Sequence, residues 1–173
     1  AVYFGKLDGK GHLIVYRKGL ENRSQNPDIR TAYERVAPTI YALTAAIDAK
    51  DNFTFIHSMN VSKYAVMLAE ALPMSDNDIE VVRIAGMLHD IGKISIPEHI
   101  LKKTSGLTPE EYTIMKTHVE NSIKMIRYLP NMDYVIPAVV AHHERYDGTG
   151  YPRGLKGTEI PLMGRILTIA DCF

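Results

Sequence analysis

The stretch His89-Asp90-Ile91-Gly92-Lys93 follows an apolar segment that ends in Gly86-Met87-Leu88. It places an imidazole next to a carboxylate at the end of a helical pattern, and a lysine follows three residues after the carboxylate. Imidazole and carboxylate groups are preferred ligands of divalent ions such as Mn, Fe and Zn. Gly92 permits a sharp turn of the backbone, which would bring Lys93 beside bound ions. The stretch therefore predicts a metal site at the end of this helix, with Asp90 able to bridge two ions.

Other histidines and one aspartate lie on further helical segments. A lone histidine such as His57 or His118 is more often a structural residue, and Asp171 is uninformative by itself. The adjacent pair His142-His143 is a stronger signal, because burying two imidazoles without partners is costly. A helical bundle can collect such residues in its core, whereas His99 is expected to be structural. The candidate metal ligands are His57, His89, Asp90, His118, His142, His143 and Asp171.

Length and composition indicate a globular protein. The chain has 173 residues, 46% apolar and 23% charged, so we expect one domain with a sizeable core and exclude a disordered chain. Lys and Arg number 20, as do Asp and Glu, which gives no broad basic surface for a nucleic acid polymer or an anionic membrane. The single Cys172 cannot form an internal disulfide, and the apolar runs are too short to span a bilayer. Since the N-terminal residues also lack signal-peptide features, a cytoplasmic protein is expected.

The first 27 residues are predicted to form a β-hairpin and a linker. Two short β-prone runs, residues 2–4 and 12–16, flank a turn with Asp8-Gly9, and a polar stretch follows over residues 18–27. A hairpin of this size does not fold alone, so it either packs on the rest or is the tail of a preceding domain. The expected division is therefore a hairpin and linker over 1–27 and a helical domain over 28–173.

From residue 28 onward the hydrophobic pattern is helical, and the body is predicted to be all-α. Ser75 with Asp78 predicts one capped helix start, and Thr108-Pro109-Glu110-Glu111 predicts another. Pro161 is predicted to start the last helix.

An apolar stripe marks the first long helix of this body. Pro38 lies inside the pattern and should kink or split the helix. The stripe could seal the protein's own core or form a two-helix dimer seam; the core is favoured because a coiled coil needs about three or more clean heptads. The stripe consists of Ile29, Tyr33, Val36, Ile40, Leu43 and Ile47.

Several segments in order resemble the HD-GYP family, bacterial phosphodiesterases that act on cyclic di-GMP. The resemblance runs from about Ala45 to the C-terminus and implies an HD-type helical bundle. The segments are Asp51-Asn52-Phe53-Thr54 before His57-Ser58, then His89-Asp90-Ile91-Gly92-Lys93, Leu107-Thr108-Pro109-Glu110-Glu111, Met115-Lys116-Thr117-His118, His142-His143-Glu144 with Asp147-Gly148 and Gly150-Tyr151-Pro152, and Ile169-Ala170-Asp171.

The resemblance implies a role for each matching position. A hydroxide bridging two divalent ions would be the nucleophile, since two ions ~3.5–4 Å apart lower its pKa and stabilise charge on phosphorus. Lys93 would stabilise or protonate the leaving oxygen. Fe or Mn is expected, with Zn, Ni, Co and Mg as alternatives. One ion would be held by His57, His89, Asp90 and Asp171, and the other by Asp90, His118, His142 and His143.

The loop with Gly150-Tyr151-Pro152 would lie at the rim of this site, because its glycines favour a tight turn and close approach by a ligand. Arg153 and Lys156 are candidates to contact a substrate phosphate, although either could equally be solvated surface.

Two departures from the family matter. Some members carry a Glu four residues before the first histidine, where it supports a third ion, whereas Phe53 occupies that position and cannot ligate. We therefore expect two ions, and cleavage to linear pGpG rather than to GMP. The chain ends at Asp171-Cys172-Phe173, before a family segment with an Arg-Pro-Tyr motif, so the helical domain is expected to be C-terminally incomplete.

Alternatives stay open at this point. An HD phosphohydrolase could act on another nucleotide, such as a hybrid cyclic dinucleotide, because metal ligands contact phosphate rather than base. A non-catalytic metal-binding module could instead dock a partner through the Tyr-Pro loop. Residues 1–16 weakly resemble the end of a GGDEF domain, so GGDEF-type signalling domains or proteins are expected partners beside cyclic di-GMP. The helix from Asp28 could form a homodimer.

Overall fold

The computed structural model describes the backbone of residues 3–7, 12–16, 29–51 and 54–173, and the side chains of residues 29–47, 50 and 56–173. Two short strands, β1 (Tyr3–Leu7) and β2 (His12–Tyr16), pair antiparallel with Tyr3 opposite Tyr16. The turn between them and the stretch that follows lie outside the described residues. The hairpin as a unit, and the division at residue 27, therefore stay predictions.

The body is all-α, as the sequence predicts. Short 3₁₀ turns cover Ile91–Ser95, Asp133–Val135 and Gly157–Glu159. The α-helices of the described residues are α1 (Ile29–Asp51), α2 (Thr54–Glu70), α3 (Asp76–Leu88), α4 (Glu98–Leu101), α5 (Pro109–Ile126), α6 (Ile136–Ala141) and α7 (Leu162–Asp171).

The two predicted caps set the start of α3 and α5. Ser75 Oγ accepts a hydrogen bond from the Asp78 backbone N–H at 3.2 Å. Thr108 and Glu111 form a reciprocal capping box, with the Thr108 N–H donating to the Glu111 carboxylate at 2.7 Å. Such caps satisfy N–H groups that have no partner within the helix. They therefore fix where the two helices begin. The start of each helix in turn sets the position of its histidine along the helix axis, His89 for α3 and His118 for α5.

Helix α1 is continuous, and its apolar stripe packs inside the chain. Val36, Ile40 and Ile47 are at most 6% exposed. Pro38 was predicted to kink or split the helix; the split is wrong, since α1 runs through this residue. Pro38 lies on the exposed face, where water can reach the Glu34 carbonyl that loses its donor. The stripe thus serves the protein's own core, and the homodimer through this helix stays a prediction.

One hydrophobic core joins α1, α2, α3, α6 and α7. Its fully buried side chains include Ile84 and Leu88 from α3 and Leu167 from α7. Because α3 lies against α2, α6 and α7, the ends of these helices meet around the last residues of α3. Helix α5 packs on the 3₁₀ turn that follows α3. No helix among the described residues is long and apolar enough to cross a membrane.

Candidate metal centre

Five helices bring the seven predicted ligands together around the end of α3. His89 is the C-cap of α3, and Asp90 precedes the 3₁₀ turn Ile91–Ser95. The others lie on α2 (His57), α5 (His118), the end of α6 (His142, His143) and the last residue of α7 (Asp171).

Three of the histidines are oriented by the same local hydrogen bond. Nδ1 of His89 lies 2.8 Å from the Gly86 carbonyl oxygen, three residues earlier in the helix. Nδ1 of His118 and of His142 make the equivalent contact to the carbonyl three residues earlier, at 2.8 and 2.5 Å. A carbonyl accepts only from a protonated nitrogen, so these contacts place the proton on Nδ1 and leave Nε2 as the basic atom. All three rings therefore present a metal-binding nitrogen to the centre.

The ligand atoms form two groups that share one residue. In each group the atoms lie within 4.8 Å of one another. The α7 half consists of His57, His89 and Asp171, and the α6 half of His118, His142 and His143; Asp90 belongs to both groups.

Asp90 faces the two halves with different oxygens. Its Oδ2 lies 3.2 Å from His89 Nε2, and its Oδ1 lies 3.4 Å from His118 Nε2. Within the halves, His57 Nε2 lies 2.9 Å from Asp171 Oδ1, and the Nε2 atoms of His118 and His142 are 3.5 Å apart. In each group, the ligand atoms are therefore close enough together to bind one shared ion.

The cluster carries buried polar atoms that the protein does not satisfy. Among the described residues, His89 Nε2 and Asp90 Oδ1 are buried without a hydrogen-bond partner, although neighbouring ligand atoms lie within 3.4 Å of each. A buried polar atom without a partner destabilises a fold, so such atoms point to a bound water or ion as their partner. The donor set of imidazole nitrogens and carboxylate oxygens fits divalent metal ions.

The two halves differ in charge. Burial opposes a proton on His89, but Asp90 and Asp171 outweigh it and raise the pKa of His89 to about 10. Burial would raise the pKa of Asp171, yet the adjacent His57 and His89 rings favour its carboxylate form and hold that pKa well below its usual value. In the α6 half, burial lowers the pKa of His142 far below its usual value and that of His143 to about 4. The α7 half, with one protonated histidine and two carboxylates, is thus net anionic and attracts a cation, which would displace the proton from His89 Nε2. The α6 half offers neutral imidazoles, the form that binds metal.

Lys93 lies beside the shared carboxylate. Its Nζ is 2.7 Å from Asp90 Oδ2, and its side chain is 24% exposed. The turn that carries it packs directly on α5: a Cβ at Gly92 would lie 2.0 Å from the His118 carbonyl oxygen. The glycine is therefore required by this close contact between backbones.

Two residues that sequence reasoning missed hold the ligand segments in place. Ser122 Oγ accepts from the Gly92 N–H and donates to the His89 carbonyl, both at 2.8 Å. Thr168 Oγ1 donates to the His142 carbonyl at 2.8 Å. The only signal was their spacing, since Ser122 follows His118 by one helical turn and Thr168 precedes Asp171 by three residues.

The loop after the histidine pair is fastened to the α6 half by Glu144, whose role was also missed. Glu144 is 2% exposed, and its two oxygens accept from the backbone N–H groups of Arg153 (2.6 Å) and Leu155 (2.9 Å). The ring of Tyr151 stacks on His143 with centroids 4.7 Å apart, and its N–H donates to the His143 carbonyl at 3.1 Å. Tyr151 therefore lies at the edge of the candidate centre.

Other predicted positions lie apart from the ligands. Arg153 pairs with Glu120 at 3.1 Å, and Lys156 lines a cavity of about 610 Å³ that contains none of the seven ligands.

Gly150 fits against the Glu144–Arg145 backbone, where a Cβ would lie 2.2 Å from the Arg145 nitrogen. Pro152 is half-buried beside Tyr151, and His99 is exposed on α4. Phe53 lies outside the described residues.

A sequence model described as an HD domain matches residues 38–173. The chain belongs to the HD domain family. The matched range includes the His89-Asp90 pair, of which Asp90 belongs to both groups of ligand atoms. The resemblance to HD-GYP phosphodiesterases is confirmed by the relatives of this HD domain.

One relative is the cyclic di-GMP phosphodiesterase response regulator RpfG of Xanthomonas campestris, 39% identical over 142 residues, or 81% of this chain and 38% of RpfG. Another is the 3'3'-cGAMP-specific phosphodiesterase 2 of Vibrio cholerae, 34% identical over 93% of this chain and 31% of that protein. The HD domain thus spans about a third of the length of these relatives. A solved structure, Bd1817, a HDG"Y"P protein from Bdellovibrio bacteriovorus, shares the fold with a TM-score of 0.59 and 20% identity, over 87% of this chain and 61% of that one.

Proposed function

We propose that this HD domain is a metal-dependent phosphodiesterase that hydrolyses cyclic di-GMP to linear pGpG. The carrying observation is the position of Asp90, whose two oxygens face two separate groups of ligand atoms. A single carboxylate placed in this way suits a pair of ions rather than one. The name of RpfG, which is 39% identical, supports cyclic di-GMP as the substrate.

We assign one ion to the α7 half and one to the α6 half, with Asp90 contributing to both. Fe or Mn is proposed first, since both accept this mixture of imidazole and carboxylate. When bound, two such ions supply positive charge at the phosphoryl group and a water molecule of lowered pKa. The protein's own contribution is to hold Nε2 of three histidines in fixed directions. The burial of these histidines and of Asp90 also keeps bulk water from that side of the site.

Lys93 is proposed to stabilise charge on the leaving oxygen. Its ammonium group lies beside Asp90 and remains partly accessible from the surface, as a contact to substrate requires. A cation held there before substrate arrives stabilises the transition state without further reorganisation. Its Nζ can also donate a proton to the leaving oxygen.

The pGpG product follows from the number of ions proposed. Phe53 offers no ligand atom for a third ion. Two ions serve one in-line displacement, which opens the cyclic substrate at one phosphodiester bond.

A second candidate substrate is 3'3'-cGAMP. The Vibrio cholerae relative with this specificity is similar over 93% of the chain. The ligand residues contact phosphate, so they suit either cyclic dinucleotide.

The test combines metal content and hydrolysis on one sample. Protein loaded with Mn or Fe is assayed for metal equivalents, and then for cleavage of cyclic di-GMP and 3'3'-cGAMP in competition. We expect about two equivalents and pGpG. Preferred cleavage of 3'3'-cGAMP would support the second candidate, and two equivalents without any product would show a non-catalytic metal-binding module. An exposed histidine provides the control, since His99→Ala should change neither quantity.

A further inference from the structure

Lys50 connects the first helix of the domain to the turn that carries Lys93. It lies in the last turn of α1. Its Nζ lies 2.6 Å from the Ile94 carbonyl oxygen and 2.5 Å from the Ile96 carbonyl oxygen. One ammonium group therefore bridges the carbonyls of the first and third residues after Lys93.

The sequence explains why the Ile94 carbonyl needs an external donor. A 3₁₀ turn continues through bonds from the N–H of residue i+3 to the carbonyl of residue i. For Ile94 that residue is Pro97, which has no N–H to give. The Lys50 ammonium has three donors and supplies the missing bond, while it also reaches the Ile96 carbonyl.

Other side-chain hydrogen bonds of the turn involve a different helix, α5. Ser122 of α5 accepts from the Gly92 N–H, and Asn121 of α5 donates to Ser95 Oγ at 2.7 Å. Ser95 Oγ in turn donates to the Gly92 carbonyl at 2.6 Å. Side chains of α5 thus bind the Gly92 N–H and the Ser95 hydroxyl. Lys50 of α1 instead binds the backbone carbonyls of Ile94 and Ile96.

We infer that Lys50 is a positioning residue, which fixes the 3₁₀ turn Ile91–Ser95 so that the Lys93 ammonium stays beside Asp90 and the substrate phosphate. This inference rests on the proposed function. It makes the C-terminal end of α1 part of the support of the catalytic lysine, although Lys50 itself contacts none of the seven ligands. Small displacements of a catalytic group lower turnover strongly, because the reacting geometry is lost.

The test compares Lys50→Met, which keeps most of the apolar stem and removes the donors, with Lys50→Arg, which keeps donors. For Mn-loaded protein we expect Lys50→Met to lower kcat about tenfold with KM and metal content unchanged. Lys50→Arg should recover most of the loss. Lys63→Met, at an exposed lysine of α2, is the matched control and should behave as wild type.

A double-mutant cycle distinguishes positioning from a general structural role. If Lys50 acts through Lys93, then Lys50→Met should cause no further loss of kcat in a Lys93→Ala background. If Lys50→Met lowered kcat by the same factor in both backgrounds, the inference would be overturned. Loss of metal from the Lys50→Met single variant would also overturn it.

Hydrogen–deuterium exchange supplies a readout that does not depend on turnover. Lys50→Met should speed exchange in the peptide that covers residues 91–96, whereas Lys63→Met should not. If the wild-type protein cleaves no cyclic dinucleotide, the proposed function fails, and exchange alone then decides whether Lys50 holds the turn. Unchanged exchange in that peptide would overturn the inference.

Discussion

The two halves of the metal centre are built by different means. In the α6 half, His118 and His142 are almost fully buried and are each held by a backbone carbonyl through Nδ1. In the α7 half, the side chain of His57 is 37% exposed, and its Nε2 pairs with Asp171 at 2.9 Å. Two of the three histidines of the α6 half are therefore held by backbone carbonyls, whereas in the α7 half only His89 is held in this way. The other two residues of the α7 half, His57 and Asp171, satisfy each other.

This difference has a consequence for metal affinity. An ion entering the α7 half must displace the contact between His57 and Asp171, but an ion entering the α6 half meets neutral imidazoles already in place. Ligands fixed beforehand lose less conformational entropy on binding. We therefore expect the α7 ion to exchange with solvent more readily than the α6 ion.

The largest effect is expected from Asp90→Ala, which removes the carboxylate that both halves share. Both ions should be lost, and turnover should fall by at least about 10³-fold, because charge stabilisation at phosphorus disappears. Elemental analysis and cyclic dinucleotide hydrolysis measure the two effects. Asp133→Ala, at an exposed aspartate, is the control. Two equivalents retained by Asp90→Ala would refute the shared role of Asp90.

A pair of single substitutions separates the halves. His118→Ala should reduce metal content to about one equivalent by emptying the α6 half, and His57→Ala should do the same for the α7 half. Because His57 is the more exposed ligand, the ion that remains in His57→Ala should resist a chelator longer than the ion that remains in His118→Ala. Equal release rates in the two variants would show that the halves do not differ.

Lys93→Ala tests a group that belongs to neither half. It should leave two equivalents of metal and lower kcat about 10²-fold, since one charged donor to the transition state is lost. Lys63→Ala provides a comparison at an exposed lysine. If metal is lost instead, Lys93 is a structural partner of Asp90 and not a catalytic residue.

The smallest effect on turnover is expected from Glu144→Gln. An amide nitrogen would then face one of the two backbone N–H groups that Glu144 now binds. A buried mismatch of this kind costs about 1–3 kcal/mol of stability. Thermal unfolding should show this decrease in stability. Because Tyr151 stacks on His143, a looser loop should weaken binding of the α6 ion and leave the α7 ion unchanged. A variant as stable as wild type would show that Glu144 does not anchor the loop.

The sequence identified the residues that the structure brings together, because their segments are recognisable when taken in order. His89-Asp90 and His142-His143 stand at helix ends, and the caps at Ser75 and Thr108 mark the helix starts directly. The resemblance to HD-GYP proteins then supplied the grouping of ligands that the structure shows within 4.8 Å.

Contacts between distant segments were not predictable in the same way. Lys50 reaches a carbonyl 44 residues further on, and Arg153 pairs with Glu120, neither of which a local pattern reveals. Pro38 was expected to kink or split α1, but the helix continues through it. Its effect depends on whether its face of the helix is exposed to water, which the proline itself does not reveal. Ser122 resembles any other serine of an amphipathic helix until the Gly92 backbone is placed against it.

The most direct test is the crystal structure of the Mn-loaded protein, with anomalous scattering used to locate the metal. We predict two peaks about 3.5–4 Å apart, one in each half and each next to one oxygen of Asp90. A single peak, or two peaks that do not flank the Asp90 carboxylate, would contradict the dinuclear centre.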